Sequence, residues 1–494
     1  MHHVGMAISP KARPYLLVLI LVLVAAGIVV AQLPGEEPNA TRSTPDASTT
    51  PPVVDAVGGD GAGDAYYPQD GNTGYDVSGY DVSVTYDPAT RQLDGVAKIT
   101  ATATADLTRF NLDLYTLVVE GVDVRGQQAE HRQEGDHELV ITPASPLVTG
   151  EQFTTTVRYG GEPTVFQDRA LGRSGWQVSS SGGAFAAGEP HSATTWFPAN
   201  DTPRDKASFT LTARVPEGWS VISNGVEDGS TTEDGWTSFR WVAEQPMATY
   251  LTTIAIDKWT VERSTLPDGT PVVDAYAPGA QDGRRHQERL PEVLAFLAEK
   301  FGPYPFESAG GIFLADDIGF SLETQTRPIY AGWADLDTVV HENAHQWFGD
   351  SVSLENWADI CLNECFASYA QWLWDEAKEG VDLDDRYRAQ VERARDSFWG
   401  RKLYDMGRGN EFKGVYDKGQ LALHALRHRI GDDVFDRAVK EWTTANRGGN
   451  ASWPEFEAHV ERASGQDLDA FFDAWFRGDD IPDDEHLYPG SLRR

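Results

Sequence analysis

Two histidines four residues apart enclose a glutamate in the run His341-Glu342-Asn343-Ala344-His345. On a helix, positions i and i+4 lie one above the other, so both imidazoles project from one face and can share a metal ion. Glu342 falls on a neighbouring part of that face. There it can reach a water beside the metal without being a ligand, which is the place a general base requires. Glu364, with 18 residues between it and His345, completes a His, His, Glu set whose fourth position stays open, as catalytic sites require. Neutral imidazole and carboxylate donors suit zinc, one ion per chain. Only 12 histidines occur in 494 residues, so a chance match to these fixed positions is expected far less than once per chain.

These side chains meet only if particular elements carry them. Val339-Val340 ahead of the first histidine, with Asp335 or Asp337 as cap, predicts a helix through the pentapeptide. A loop through 351–357 and a returning helix within 359–369 would bring Glu364 back to the imidazoles. Leu290, Leu294, Leu297 and Phe301 recur at helical spacing and stop at Gly302-Pro303. Ser452 with Pro454 marks another helix start, and Leu468, Phe471, Phe472, Trp475 and Phe476 form an amphipathic set closed by Gly478. Earlier in the chain the period is two. Tyr80, Val82, Val84 and Tyr86 alternate with Asp81, Ser83 and Thr85; Ile99, Ala101 and Ala103 alternate with threonines; Phe209, Leu211, Ala213 and Val215 repeat the pattern. Turn signals such as Pro216-Glu217-Gly218 divide that stretch into short strands. The expected architecture is multidomain α+β: an all-β domain over 65–262, a mainly α catalytic domain over 263–482 and a loose tail over 483–494.

At roughly 150 residues per domain, 494 residues exceed one core. Lys and Arg total 41 against 76 Asp and Glu, a net charge of -35, and such a field repels phosphate backbones. Nucleic acid is excluded as a partner on that ground. Two cysteines, Cys361 and Cys365, cannot make a disulfide scaffold. Four apart on a helix, beside a metal whose ligands are complete, they read as packed free thiols. Lys11 and Arg13 precede an apolar run over 15–31, nearly long enough for the ~30 Å of bilayer hydrocarbon. Residues 1–33 are therefore an export segment, either a cleaved signal peptide or a retained membrane anchor. Both outcomes place the rest outside the cytoplasm, secreted or held on the outer face of the cell membrane by a single helix. The Pro, Thr, Ser, Gly and Asp of 34–64 read as a disordered linker.

The residues now quoted carry a family likeness. HENAHQWFGD, followed at the stated spacing by WADICLNECFASY, resembles the gluzincin zinc aminopeptidases typified by aminopeptidase N and leukotriene hydrolase. FGPYPFES from Phe301, WFPANDTPRDKASF from Trp196 and VYDKGQLALHAL from Val415 look like further blocks of that family, so the likeness spans about residues 70 to 480. It implies an amino-terminal antiparallel β saddle-like domain followed by a thermolysin-like catalytic domain. The family's larger carboxyl-terminal helical domain has no room, which makes this a short, two-domain, bacterial-type member. By the same likeness His341, His345 and Glu364 bind zinc, Glu342 activates water and Tyr416 stabilises the oxyanion. Glu323 falls where the family binds the substrate's free α-amine, and Glu189 is the candidate for its second amine-binding position. Leu322 and Thr324 replace the Met and Asn that flank that glutamate in the family, and Cys365 replaces the glycine after the third ligand.

The resulting expectation is a zinc aminopeptidase that takes peptides with a free amino terminus, acts outside the cytoplasm and works as a monomer. Rival expectations are an endopeptidase or an epoxide hydrolase on the same zinc, or a catalytically silent surface binding protein. Carbohydrate recognition by exposed tryptophans among the 15 present stays open for the β domain.

Overall fold

The computed structural model describes residues 57–493. Strand Tyr75–Asp87 buries Tyr80, Val82, Val84 and Tyr86 and turns Asp81 and Ser83 outward, as alternation along a half-buried strand demands. It pairs antiparallel with Gln92–Ala103 on one side and parallel with Ala207–Pro216 on the other, in the middle of a 10-stranded sheet. The sheet is therefore mixed where a wholly antiparallel one was expected. Parallel neighbours need a long crossover, and the rest of the β domain's first half supplies it. A second, five-stranded sheet runs Ser220–Ser223, Ile254–Asp257, Ala184–Ala187, Arg173–Val178, Val165–Gln167. It presents the chain around Glu189 just beyond one of its strand ends.

The change of domain comes earlier than residue 262. Thr260–Thr265 pairs with Pro271–Tyr276, which runs parallel to Ala309–Phe313 and then Ile329–Tyr330. This four-stranded sheet opens the helical part. Helix Leu290–Phe301 buries Leu290, Leu294, Leu297 and Phe301 and ends at Gly302, whose φ of 99° favours glycine. Leu336–Ala344 carries the first histidine, and Cys361–Trp374 returns beside it. Asp417–Ile430, Asp432–Ala445 and Trp453–Ser464 follow, the last opened by a Ser452–Glu455 capping box. The Leu468 to Phe476 set forms helical turns Asp469–Phe472 and Asp473–Arg477 with Phe471, Phe472, Trp475 and Phe476 buried.

Three sequence expectations need correction. Residues 57–64, assigned to the disordered linker, are packed: Val57 bridges Arg109, and buried Asp64 accepts hydrogen bonds from Tyr66 N and, at 2.7 Å, from Trp357 N. One carboxylate satisfies orphan amides at two places far apart in the chain, which few apolar residues are needed to achieve. The expected loose tail is also fixed, since Leu487 and Leu492 are buried and Trp475 Nε1 donates to the His486 carbonyl. Finally, Cys361 and Cys365 form a disulfide rather than two thiols. Their Cα atoms are 4.8 Å apart on one helix face, within the roughly 4.4–6.8 Å that disulfides span. The export segment and the earlier part of the linker lie outside the described residues. Among the described residues no helix is long and apolar enough to cross a membrane.

Candidate metal centre and active site

Asp335, rather than Asp337, caps the histidine helix. Its side chain accepts from Thr338 N at 3.1 Å while Thr338 Oγ1 accepts from Asp335 N, a reciprocal capping box. The helix ends at His345, where the chain turns so that His345 Nδ1 meets the Phe348 carbonyl at 2.9 Å. A carbonyl only accepts, so Nδ1 holds the proton and Nε2 offers its lone pair. His341 Nε2 lies 3.1 Å from His345 Nε2, and Glu364 Oε2 lies 3.3 and 3.6 Å from the two nitrogens. Four ligands at zinc-to-donor distances of roughly 2.0–2.1 Å in a tetrahedron stand about 3.3 Å apart, so the three donors fit that ion. Glu364 Oε2 is buried and accepts no hydrogen bond among the described residues, which a cation at this point would correct.

All seven side chains singled out from sequence line one cleft of about 520 Å³: Glu189, Glu323, His341, Glu342, His345, Glu364 and Tyr416. Oxygens of Glu189, Glu323 and Glu364 lie within 4.8 Å of one another, and so do donors of Glu323, Glu342 and His345. Glu189 comes from the β domain and Glu323 from the loop before Ile329–Tyr330. Both are buried, and Oε1 of each lacks a hydrogen-bond partner among the described residues. Burial pushes the Glu342 carboxyl well above its ordinary value; His345 opposes the shift and the Glu323 and Glu364 charges add to it. Burial likewise raises Glu189, reinforced by Glu323 and Glu364, and raises Glu323 against the pull of His345. The crowded carboxyls resist ionising together, and a cation entering the cleft would favour their charged forms.

Tyr416 stands at the start of helix Asp417–Ile430, its ring centroid 6.0 Å from that of His341. The residue as a whole is 37% exposed. Enclosure of its hydroxyl, then the Glu364, Glu189, Glu323 and Glu342 carboxylates, push it well above its ordinary value, so it remains a donor.

Sequence reasoning missed three supports. Gln371 lies near His341 from two turns beyond Glu364 on the same helix, its Nε2 donating to the Asp337 carbonyl at 2.9 Å, a spacing of seven that could have flagged it. Tyr250, from the β domain, stands close to Glu323 and accepts from Asn363 Nδ2 at 3.3 Å; no local pattern marks it. Asp350, buried with neither carboxylate oxygen hydrogen-bonded among the described residues, closes the HENAHQWFGD run behind His345. Its carbonyl accepts from Lys206 Nζ at 2.8 Å, a strut from the β domain. The departure at Cys365 also has a packing reason. Gly419 faces it, and a Cβ there would come within 2.6 Å of Cys365 Sγ, so a glycine on the facing helix leaves the sulfur its room.

Comparison with known proteins agrees with this geometry. The Peptidase M1 N-terminal domain profile matches residues 77–251 and the Peptidase family M1 domain profile matches 311–475. Aminopeptidase M1-B of Oryza sativa subsp. japonica is 25% identical over 452 residues, covering 82% of this chain and 50% of the relative. Aminopeptidase N of Streptomyces lividans is 26% identical over 317 residues, 56% of this chain and 36% of the relative. The chain thus spans about half or less of the length of these curated relatives. A crystal structure of an M1 zinc metallopeptidase from Deinococcus radiodurans superimposes with a TM-score of 0.80 at 29% identity, covering 86% of this chain and 98% of that one. A mutant of that peptidase bound to a Tyr-Ser-Ala substrate matches equally well, with a TM-score of 0.80. With both domain profiles matched in order, and the His341, His345 and Glu364 site in place for zinc, the chain belongs to peptidase family M1.

Proposed function

We propose that the chain is a zinc aminopeptidase that removes residues from the free amino termini of peptides. The observation that carries this reading is the pair of buried carboxylates, Glu189 and Glu323, beside the zinc trio, each with an Oε1 that has no hydrogen-bond partner among the described residues. Two such charges are costly unless they meet a cation. A substrate ammonium supplies it at a set distance from the reacting carbonyl, and an internal peptide bond brings none. A matched structure of the Deinococcus peptidase holds a Tyr-Ser-Ala substrate, and two matched structures of a two-domain M1 zinc metallopeptidase hold L-arginine and L-tryptophan, consistent with a site that receives amino-terminal residues.

Zinc held by His341, His345 and Glu364 supplies Lewis acidity, easing deprotonation of a water and polarising a carbonyl. Glu342, buried and raised in proton affinity, takes the proton from the attacking water and hands it to the leaving amine. Tyr416 donates its hydroxyl to the oxygen of the attacked carbonyl as negative charge develops there, a contribution worth about 3 kcal/mol. Glu189 and Glu323 hold the amino terminus still. The Phe348 carbonyl keeps the His345 imidazole turned toward the site.

The proposed location is outside the cytoplasm. The Lys11, Arg13 and apolar-run pattern supports it, as does the Cys361–Cys365 disulfide, since such bonds persist in oxidising compartments. The decisive experiment compares an aminoacyl amide with its N-acetylated counterpart. Rapid hydrolysis of the first alone is expected; equal rates would turn the assignment toward an endopeptidase.

A further inference from the structure

We propose that His424, His428 and Asp384 form a second divalent-metal site, separate from the catalytic one and suited to zinc. The two histidines are four apart on helix Asp417–Ile430, and Asp384 comes from helix Leu383–Arg393. Asp384 Oδ1 lies 3.2 Å from His424 Nε2 and 2.9 Å from His428 Nε2, with donor atoms of all three residues within 4.8 Å of one another. These separations match those of the catalytic donors, and two imidazoles with one carboxylate repeat the same donor class.

The second nitrogen of each ring is also engaged. His424 Nδ1 is 3.0 Å from the Tyr369 hydroxyl, and His428 Nδ1 is 2.8 Å from Ser491 Oγ. Outer partners of this kind orient ligating imidazoles. With the Nδ1 protons donated to the two hydroxyls, both Nε2 lone pairs and a carboxylate oxygen face a common point, and only a cation relieves their repulsion. The opposite assignment, in which the hydroxyls donate and both Nε2–H groups point at Asp384, would satisfy the trio without metal; the two assignments differ in what they bind. Arg388 approaches the other oxygen, Oδ2, at 3.5 Å, which leaves Oδ1 to the imidazoles. His424 is buried, while the His428 and Asp384 side chains are 14% and 29% exposed, so an ion can enter and water can complete its shell.

None of the three residues lines the catalytic cleft, and no glutamate takes the place that Glu342 holds in the first site. The role that fits is a brace. Tyr369 lies on the Glu364 helix, Ser491 on the terminal segment and Tyr416 at the head of the His424 helix. An ion here ties together the elements behind the active site.

The test strips the full-length chain with chelator, reloads it with Zn²⁺ at micromolar free metal, and counts bound zinc by mass spectrometry after gel filtration. Wild type is expected to hold a second equivalent. His428→Ala and Asp384→Asn should each lose one equivalent while keeping hydrolysis of an aminoacyl amide. Glu364→Gln should lose the other equivalent and keep this one. Cobalt absorption of the Glu364→Gln protein gives an independent reading of the same site. A single equivalent in wild type with the catalytic trio filled, or two in His428→Ala, overturns the proposal. Should either brace variant fail to fold, the wild-type count and the Glu364→Gln count still decide.

Discussion

The catalytic cleft has two unlike sides. One is a pair of neighbouring helices that carries His341, Glu342, His345 and Glu364 within a short stretch of chain, with Tyr416 beside them on a third. The other gathers Glu189 from beyond a β-domain strand, Tyr250 from the turn Thr249–Leu251 and Glu323 from a loop of the helical part. The helical side pairs its carboxylate with two imidazoles, whereas the second side holds two buried carboxyls whose Oε1 atoms have no hydrogen-bond partner among the described residues. The difference separates two tasks. On the proposed aminopeptidase reading, chemistry is placed by local helix geometry, and recognition of the substrate's end is placed by the packing of one domain on another.

If that division is real, substitutions on the two sides should affect different kinetic constants. The largest effect belongs to Glu342→Gln, which should lower kcat about 10³-fold at unchanged zinc content, read by steady-state kinetics with metal analysis. Tyr416→Phe should follow, with kcat down about 10²-fold and KM nearly constant. Glu323→Gln should instead raise KM, lowering kcat/KM for a free-amine substrate by about 10- to 100-fold, the worth of a charge-assisted hydrogen bond. Its preference over the acetylated analogue should shrink in step. A Glu323→Gln enzyme that loses kcat alone and keeps full discrimination would break the comparison.

The smallest effect concerns the anchoring of the β side. His191, two residues beyond Glu189, lies between Asp70 at 2.6 Å and Asp168 at 3.4 Å. Burial would lower its pKa, yet Asp168 and Asp70 outweigh it and push it up to about 9. Asp168 in turn accepts from the amides of Ala170 and Leu171, which line the cleft. Because the folded value exceeds the unfolded one of about 6.5, the stabilisation is complete below pH 6.5 and is lost as pH rises to about 9. The Tm advantage of wild type over His191→Gln should therefore narrow across that window. An advantage independent of pH would remove the charged clamp.

Legibility followed the range of the physics involved. Alternation in Tyr80 to Tyr86 and the spacing of Leu290 to Phe301 are local, and both became the elements they imply. The parallel pairing of Tyr75–Asp87 with Ala207–Pro216 is not local, and it was missed. Asp64 failed for the same reason: its partner, Trp357 N, lies hundreds of residues away, so a stretch poor in apolar residues read as loose although one carboxylate pins it. The terminal segment was misread because two buried leucines and a few main-chain bonds leave little periodic trace. At the site, the ligands stood out through spacing alone, whereas Tyr250 and Lys206 reach it from the β domain with no sequence signal.

The sequence by itself determined the imidazole pair of the metal site, because two histidines four apart on one helix face follow from a rise of 1.5 Å per residue and need nothing distant, while Glu364 joins them from the next helix along the chain. Tertiary structure alone decided that Glu189 and Glu323 stand together beside that metal, buried, each with an oxygen that no hydrogen bond satisfies among the described residues. Their convergence depends on how a β domain seats against a helical one, and side-chain contacts between segments so far apart leave no period in the chain.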